Sequence, residues 1–253
     1  MIEHFMDVYW LEQTDGDVPA ANDWLSEREQ TFLSHLRFAK RRSDWRLGRW
    51  TAKQAVARSL NMSVQREALA GIEIRSAASG APEVFFANQP APVTISLSHR
   101  DGAAICAVAL SSAALGCDLE MIEPRSDAFV TDYFTPEEQT LVARAPAADR
   151  SRLLALLWSA KESTLKAVRA GLRLDTRCVV VNSVGILRSC GEGEVCPSGN
   201  WYPLQVSHSH NEIFHGWWRP TGNLLQTLVA TPRPSQPISL RTDDRSSATE
   251  NAA

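Results

Sequence analysis

Two acidic residues stand at alternate positions in a short stretch with the pattern of a strand. Residues 115–120 read Leu-Gly-Cys-Asp-Leu-Glu, and a glycine followed by alternating apolar and acidic residues predicts a strand after a turn. Side chains alternate between the two faces of a strand, so Asp118 and Glu120 would share one face, about 6–7 Å apart along the backbone. An Asp-x-Glu pair is also common at solvated strand ends, and alone it does not define a site.

A second stretch, residues 158–166, places a glutamate and a lysine on one side of a predicted helix. Trp158, Glu162 and Lys166 are four residues apart, and residues at this spacing stack on one helix face. If this face meets the strand of residues 115–120, three carboxylates and a lysine converge. Such a cluster suits Mg²⁺ bound to a phosphate, because Mg²⁺ takes oxygen ligands and keeps waters and substrate oxygens in its shell. On its own, a Glu–Lys pair on a helix is usually surface charge.

A basic stripe lies on another predicted helix, from about residue 39 to residue 60. Arg42, Arg46, Arg49 and Lys53 follow a spacing that places them on one helix face. A basic face is most often simply solvated. The alternative is a phosphate-binding role, because arginine and lysine donors pair well with phosphate oxygens.

The composition is that of a globular protein. The chain has 253 residues, of which 44% are hydrophobic and 22% charged, with a net charge of −3, so no overall field draws it to nucleic acid or a membrane surface. Its five cysteines are odd in number and contain no C-x-x-C, as expected for reduced thiols. The first residues lack the basic region of a signal peptide, and no apolar run approaches the ~20 residues that span a bilayer. We therefore expect a cytoplasmic protein.

Periodicity and turn residues predict a mixture of helices and strands. An apolar run over residues 103–110 has the character of a buried strand or a buried helix, and its length does not decide between them. The longest helix is predicted over about 150–170, ending at Gly171. From residue 232 onward few apolar anchors remain, so the tail 232–253 is expected to be disordered. Strands are predicted over 6–11, 71–75, 83–86, 179–181, 201–207, 213–218 and 224–230.

A third segment, Ser98-His99-Arg100-Asp101-Gly102, completes a set of motifs. Together with residues 115–120 and 158–166, it resembles the S-H-x-x-G, G-x-D-x-E and W-x-x-K-E-x-x-x-K signatures of the Sfp-type 4′-phosphopantetheinyl transferases. The three motifs stand in that family's order. The resemblance as a whole covers roughly residues 26–175. Each would be weak alone, and their combination is specific.

The resemblance implies an α+β fold of two similar α+β subdomains related by a pseudo-twofold, the 4′-phosphopantetheinyl transferase fold, with the active site at their seam. Residues 1–112 would form the N-terminal subdomain, which contacts coenzyme A. Residues 113–231 would form the C-terminal subdomain, which carries the Mg²⁺-binding carboxylates and the catalytic helix. Family members of this type are usually monomeric, and we expect the same here.

The resemblance also implies an activity of the Mg²⁺-dependent holo-[acyl-carrier-protein] synthase type. The phosphopantetheine arm of coenzyme A would move to a serine of an apo acyl- or peptidyl-carrier protein in fatty-acid, polyketide or nonribosomal peptide synthesis, and 3′,5′-ADP would be released. Coenzyme A is then the co-substrate and the carrier domain the partner, with no role for nucleic acid or membrane.

By the same resemblance, Asp118, Glu120 and Glu162 would be the Mg²⁺ ligands. Glu162 would also be the general base, directly or through a bound water, while Lys166, with Asp118 beside it, would serve the leaving phosphate. Lys161 is an alternative to Lys166, although it lies about 100° away from Glu162 on a helix. Further coenzyme A contacts are expected from a larger set: Ser98, His99, Arg42, Arg46, Arg49, Arg75, Gly80 and Lys166.

One departure from the family pattern concerns the turn Gly80-Ala81-Pro82. Many relatives have lysine or arginine at the middle position, so a cation near the nucleotide is absent here. Arg75 or the basic helix would have to compensate. The alternative reading of the whole chain is a non-catalytic coenzyme A or nucleotide-binding module, in which the basic helix binds and the carboxylates have no catalytic role.

Overall fold

Three β-sheets and six α-helices make up the computed structural model, which describes residues 5–182, 199–209 and 212–241. A four-stranded sheet has the order β12-β1-β6-β5, and a five-stranded sheet the order β7-β11-β10-β9-β8. A small antiparallel sheet contains β2, β3 and β4. The strands are β1 (Tyr9–Thr14), β2 (Ile72–Ser76), β3 (Pro82–Phe86), β4 (Gln89–Pro90), β5 (Thr94–Arg100), β6 (Ala103–Ala109), β7 (Ala114–Met121), β8 (Val179–Val181), β9 (Tyr202–His208), β10 (Glu212–Thr221), β11 (Leu224–Thr231) and β12 (Ile238–Ser239).

Two helices of equal length are the centres of the two halves. The 21-residue α2 packs on β1, β5 and β6, and the 21-residue α6 packs on β7 and β11. This combination of α-helices and β-sheets confirms the predicted α+β class. The helices are α1 (Glu27–His35), α2 (Ala39–Ser59), α3 (Arg66–Ala70), α4 (Asp127–Tyr133), α5 (Pro136–Arg144) and α6 (Ala147–Ala167).

The helix α6 approaches β7 so closely at Gly116 that a residue with a side chain at this position would clash. A Cβ atom at Gly116 would lie 1.8 Å from the carbonyl oxygen of Ser163, far inside van der Waals contact. The glycine of the 115–120 motif is therefore needed so that the helix and the strand can touch. This contact brings the helix face of residues 158–166 onto the strand, as the sequence predicts.

Each half also contains a buried glutamate–lysine pair of the same design. Glu29 closes a capping box with Ser26 at the start of α1 and accepts the backbone N–H of Ile74 at 3.1 Å. Its carboxylate pairs with Lys53 of α2, whose ammonium is fully buried. A charge in this position is tolerable only because its partner and hydrogen bonds replace water.

The second half repeats this arrangement. Glu138 closes a capping box with Thr135 at the start of α5 and accepts the N–H of Val181 at 3.1 Å. It pairs at 2.9 Å with the buried Lys161 of α6. Both capping boxes have the S/T-x-x-E spacing that is visible in the sequence, whereas the ion pairs of their glutamates depend on the tertiary fold.

The seam between the halves is a hydrophobic layer to which both sheets contribute. Its buried members include Trp10 and Ile105 from the first half and Cys117, Leu119 and Leu228 from the second. The strands β5 and β7 lie against each other across this seam. The N–H of Cys117 donates to Ser96 Oγ at 2.9 Å, which ties the two strands together.

The C-terminal tail corrects one expectation. Residues 232–253 are predicted to be disordered, yet Ile238 and Ser239 form β12, which pairs in parallel with β1. Residues 242–253 lie outside the described part of the chain. The apolar run 103–110, left open between strand and helix, is the strand β6, and every residue from Ala103 to Ala109 is buried. Among the described residues, every helix is too short or too polar to cross a membrane.

Candidate active site

The candidate site is centred on Asp118, which lies on β7 at the seam. Its Oδ1 accepts hydrogen bonds from Ser98 Oγ at 2.8 Å and from Lys166 Nζ at 2.7 Å. The Lys166 ammonium also donates to Ser98 Oγ at 3.0 Å and to the carbonyl of Cys117 at 3.1 Å. Ser98 comes from the first half and the other residues from the second, so both halves build this cluster.

The ionisation of this pair follows from its surroundings. Burial by itself raises the pKa of Asp118, but the charge of Lys166 and the hydrogen bonds from Lys166 and Ser98 outweigh it, and the pKa is lowered. For Lys166, burial acts to lower the pKa, and the charge of Asp118 outweighs it, so the pKa is raised. Both groups are therefore charged at neutral pH.

Glu162 faces the same region one helical turn before Lys166 and is half-buried. Its pKa is raised, first by burial and then by the negative charge of Asp118, with a further contribution from Glu120; Lys166 acts against them. A carboxylate whose pKa is raised towards neutrality is a better proton acceptor than an ordinary glutamate. The charges of Asp118 and Glu120 thus both act on Glu162.

Glu120 is held by arginines that the sequence motifs do not indicate. Its Oε1 accepts from Arg125 at 2.9 Å and lies 3.4 Å from Arg100. Both arginines also contact Glu123, at 3.2 and 3.3 Å. The guanidinium of Arg125 lies 5.1 Å from the ring centre of Phe129. This network of ion pairs holds the Glu120 carboxylate at the edge of the cluster.

The donor set fits a hard divalent cation in its chemistry. Asp118 Oδ2 is buried and has no hydrogen-bond partner, which is costly for a carboxylate oxygen unless a cation or donor satisfies it. Within the described residues, however, no three histidine, cysteine, aspartate or glutamate side chains stand close enough to hold a metal ion. Asp118 is instead paired with Lys166, and Glu120 with Arg125.

A cavity of about 210 Å³ opens beside this cluster at the seam. Lys166 stands in its wall together with Ile95 and Leu97 of β5, and the turn from Ser79 to Pro82 lines it as well. Gly80, predicted to contact coenzyme A, has a φ of +90° in this turn. The wall is thus mainly apolar with cationic groups from the second half, a combination that suits a nucleotide.

His99 follows Ser98 on β5 and is exposed. Its pKa is lowered chiefly by the protein atoms packed around the ring, with Asp44 acting against this and Lys166 and Lys40 adding to it. The turn that follows, Asp101-Gly102, has positive φ at both residues, as in a type I′ hairpin.

The structure does not bring the basic helix to this cavity. Arg42 donates to the carbonyls of Leu36 and Arg37, both at 3.1 Å, and Arg46 donates to the carbonyls of Pro19 and Ala20. They line a separate cavity of about 500 Å³ on the first half.

Three further basic side chains also have partners away from this cavity. Arg49 lies 3.9 Å from Glu29 and over the ring of Trp45, and Arg75 bonds to Glu73 and Asn88. Lys161 is fully buried against Glu138. The alternative in which Lys161 replaces Lys166 is therefore wrong.

Trp158 supports the site by packing. Its ring lies 5.0 Å from that of Phe129 and 5.1 Å from that of Tyr133, both edge-on. This aromatic group joins α4 to α6. These contacts make Trp158 a packing residue.

Comparison with known families agrees with the motifs. Residues 114–211 match the model of the 4′-phosphopantetheinyl transferase superfamily. The matched segment contains Asp118, Glu120, Glu162 and Lys166. This match spans less than half of the chain and agrees with the resemblance drawn from residues 115–120 and 158–166. No curated protein matches the sequence.

Solved structures with partial similarity include three holo-(acyl-carrier-protein) synthases. The one from Bacillus anthracis str. Ames, in complex with CoA (3′,5′-ADP), is 23% identical with a TM-score of 0.36, over 42% of this chain and 97% of that one. The Helicobacter pylori enzyme, in complex with coenzyme A, gives 18% and 0.28, over 40% and 96%. The Thermotoga maritima enzyme gives 20% and 0.35, over 52% and 76%.

Proposed function

We propose that this protein is a Mg²⁺-dependent transferase that moves 4′-phosphopantetheine from coenzyme A to a serine of an apo acyl- or peptidyl-carrier protein. The observation that carries the proposal is the cluster of Ser98, Asp118 and Lys166 at the seam. It joins both halves, leaves one carboxylate oxygen of Asp118 without a partner, and opens onto a cavity.

In the proposed reaction the serine oxygen forms a bond to the phosphorus that carries the pantetheine arm. The bond from this phosphorus to 3′,5′-ADP breaks, and its electron pair leaves with the ADP. Glu162 accepts the serine proton, as its raised pKa favours. Lys166 donates to the phosphate oxygens where negative charge develops, a role that fixed donors at a half-buried site perform well.

Asp118, Glu120 and Glu162 would hold Mg²⁺, which supplies positive charge to neutralise the pyrophosphate. The unpartnered Oδ2 of Asp118 favours a cation here, and so does Glu162, whose pKa is raised first by burial and then by the negative charge of Asp118. Lys166 and Arg125 would then turn from these carboxylates towards the phosphates. His99 would donate to the pyrophosphate from the edge of β5.

The direct test incubates the protein with coenzyme A, Mg²⁺ and several apo carrier domains, and weighs the carriers by mass spectrometry. A gain equal to one phosphopantetheine supports the proposal, and omission of Mg²⁺ or addition of EDTA should prevent it. No gain on any carrier, with coenzyme A binding retained, would favour the non-catalytic binding module instead.

A matched pair of variants assigns the activity to the cluster. Asp118→Asn keeps the shape of the side chain but removes its charge, and should abolish transfer. Asp44→Asn removes a carboxylate on the surface of α2, which pairs with Lys40, and should leave transfer largely intact. Full activity in Asp118→Asn would overturn the assignment.

A further inference from the structure

The cavity beside the Asp118 cluster is also lined by a basic side chain that lies outside the sequence motifs. The turn Ser79-Gly80-Ala81-Pro82 contributes no charge to this cavity, whereas Arg169, just beyond the end of α6, also lines it. Arg169 therefore places a positive charge in the same cavity as the uncharged turn. It stands three residues beyond Lys166, the cation of the Asp118 cluster.

The backbone of Arg169 adopts an unfavourable conformation. Its φ is +56°, in the left-handed region, which glycine enters freely and a residue with a long side chain enters only at a cost. Non-glycine residues in this region are uncommon, and they concentrate at functional sites where the surrounding structure enforces them. A glycine at this position would form the same turn without strain, so the arginine side chain requires another explanation.

Capping of α6 does not supply that explanation. The carbonyl groups at the end of a helix attract cations, but in the last turn of α6 the carbonyls of Leu165 and Lys166 already accept the backbone N–H groups of Ala170 and Arg169, both at 3.0 Å. In the described part of the chain, the Arg169 guanidinium has one ion-pair partner, Glu83 at 3.8 Å. Half of the Arg169 side chain is exposed, and a pair of this kind contributes little to stability.

We propose that Arg169 binds the 3′-phosphate of the donor nucleotide. The inference rests on the proposed function, in which the pyrophosphate lies at Lys166. Coenzyme A carries a second anionic group on its ribose, the 3′-phosphate. The negative end of α6 would repel this group unless a cation offset it, and Arg169 supplies that cation. Guanidinium groups suit this task because they match phosphate oxygens with two parallel donors.

The experiment compares coenzyme A with dephospho-coenzyme A, which lacks only the 3′-phosphate, by isothermal titration calorimetry. In the variant Arg169→Gly, the dissociation constant for coenzyme A should rise by about ten- to a hundredfold, the loss expected for one charge-assisted hydrogen bond. Binding of dephospho-coenzyme A should be unchanged. The melting temperature should stay the same or rise, because glycine relieves the strain.

Arg169→Asn provides a second variant, since asparagine tolerates the left-handed region and has no charge. It should show the same selective loss. Arg66→Ala is the matched control: the Arg66 side chain is 50% exposed and pairs weakly with Asp23 at 3.4 Å, much as Arg169 pairs with Glu83. This control should bind both ligands as the unmodified protein does. Glu83→Gln, which releases Arg169, should bind coenzyme A equally or more tightly.

The outcomes separate this inference from the proposed function. If the unmodified protein binds neither ligand, the proposed function itself fails. If it binds coenzyme A and Arg169→Gly binds equally well, or loses both ligands equally, the assignment of Arg169 to the 3′-phosphate is overturned. A lowered melting temperature with unchanged binding would show that Arg169 is structural.

Discussion

Helices α2 and α6 carry nearly the same five residues but occupy different electrostatic surroundings. Residues 50–54 of α2 read Trp-Thr-Ala-Lys-Gln, and residues 158–162 of α6 read Trp-Ser-Ala-Lys-Glu. In both, the lysine is buried against a capping-box glutamate and donates to two main-chain carbonyls. The shared residues therefore build the framework of each half, and the last residue of the five differs.

That last residue is neutral in one half and acidic in the other. Gln54 is buried and accepts from Arg58, four residues on, at 3.2 Å. The corresponding pair in α6 is Glu162 and Lys166, and there the lysine turns to Asp118. Gln54 and Arg58 are thus bonded to each other within α2, whereas Glu162 of α6 is a carboxylate of raised pKa beside a charged cluster.

The first strands of the two halves each place one carboxylate at the seam. Glu12 of β1 accepts from Arg219 at 3.0 Å and from Gln226 at 2.7 Å, both at Oε2. Asp118 of β7 likewise has its donors on one oxygen, Oδ1, but its Oδ2 is buried without a hydrogen-bond partner. Of these two carboxylates, the incompletely satisfied one is the one that lies in the candidate site.

The largest effect is expected when Glu162 is changed to match its counterpart. Glu162→Gln gives α6 the residue that α2 has at position 54, and transfer should fall by about 10²–10⁴-fold because the general base is lost. Stability should be unchanged or slightly higher, since burial disfavours the charge of Glu162. Mass-spectrometric initial rates and thermal unfolding test this. The reverse change, Gln54→Glu, should create no second activity.

The framework lysines should matter for stability to similar extents in both halves. Lys53→Met and Lys161→Met each leave a buried glutamate without its partner, which typically costs about 3–5 kcal/mol. Urea unfolding measures the loss. Replacing both members, as in Glu138→Gln with Lys161→Met, should recover part of it. If Lys161→Met kept its stability and lost only activity, the equivalence of the two halves would be refuted.

The variants Lys166→Met and Arg58→Met should differ in how their free energy of unfolding depends on pH. The lowered pKa of Asp118 gives stability that is present above the ordinary carboxyl pKa and lost as the pH falls through the folded value. In Lys166→Met burial dominates, the pKa of Asp118 rises, and stability falls instead as the pH increases from about 4 to 7. We expect a deficit of about 1–3 kcal/mol at neutral pH.

The control for this series is Arg58→Met. Arg58 is half-buried and bonds to Gln54, which carries no charge. Its removal should lower stability by a similar amount at every pH between about 4 and 7. Parallel curves for Lys166→Met and Arg58→Met would contradict the link between Lys166 and Asp118.

The smallest expected effect concerns the chemical reactivity of the buried cysteines. Burial raises the pKa of Cys117 to about 11, and Cys106 is equally buried in β6. At about pH 8 neither should react with iodoacetamide within minutes, while the partly exposed Cys178 should react faster. Peptide mapping after labelling tests this. Equal labelling of Cys117 and Cys178 would show that the seam opens readily.

The central cluster could be predicted because local spacing decides which side chains share a face. Asp118 follows the period of a strand, and Glu162 and Lys166 follow the period of a helix. Gly116 allows the two elements to touch. Ser98 joins them from a motif, and Ser98, Asp118 and Lys166 are hydrogen-bonded to one another.

The remaining contacts depend on tertiary structure that spacing does not encode. The stripe of Arg42, Arg46 and Arg49 is correctly placed on one helix face, but the segment before α2 covers that face and takes up its donors. Arg125 and Arg169 lie outside the motifs, and only the fold brings them to the site. The similarity of residues 50–54 and 158–162 is visible in the sequence, but only the buried ion pairs explain it.

The short strand β12 affects how readily the chain would associate with other chains. Its backbone pairs with Tyr9 and Trp10 and covers one margin of the four-stranded sheet. An uncovered margin of this kind offers unpaired N–H and C=O groups to other chains, a common route to aggregation. A chain shortened before Pro232 would keep every residue of the candidate site, but should be much less soluble.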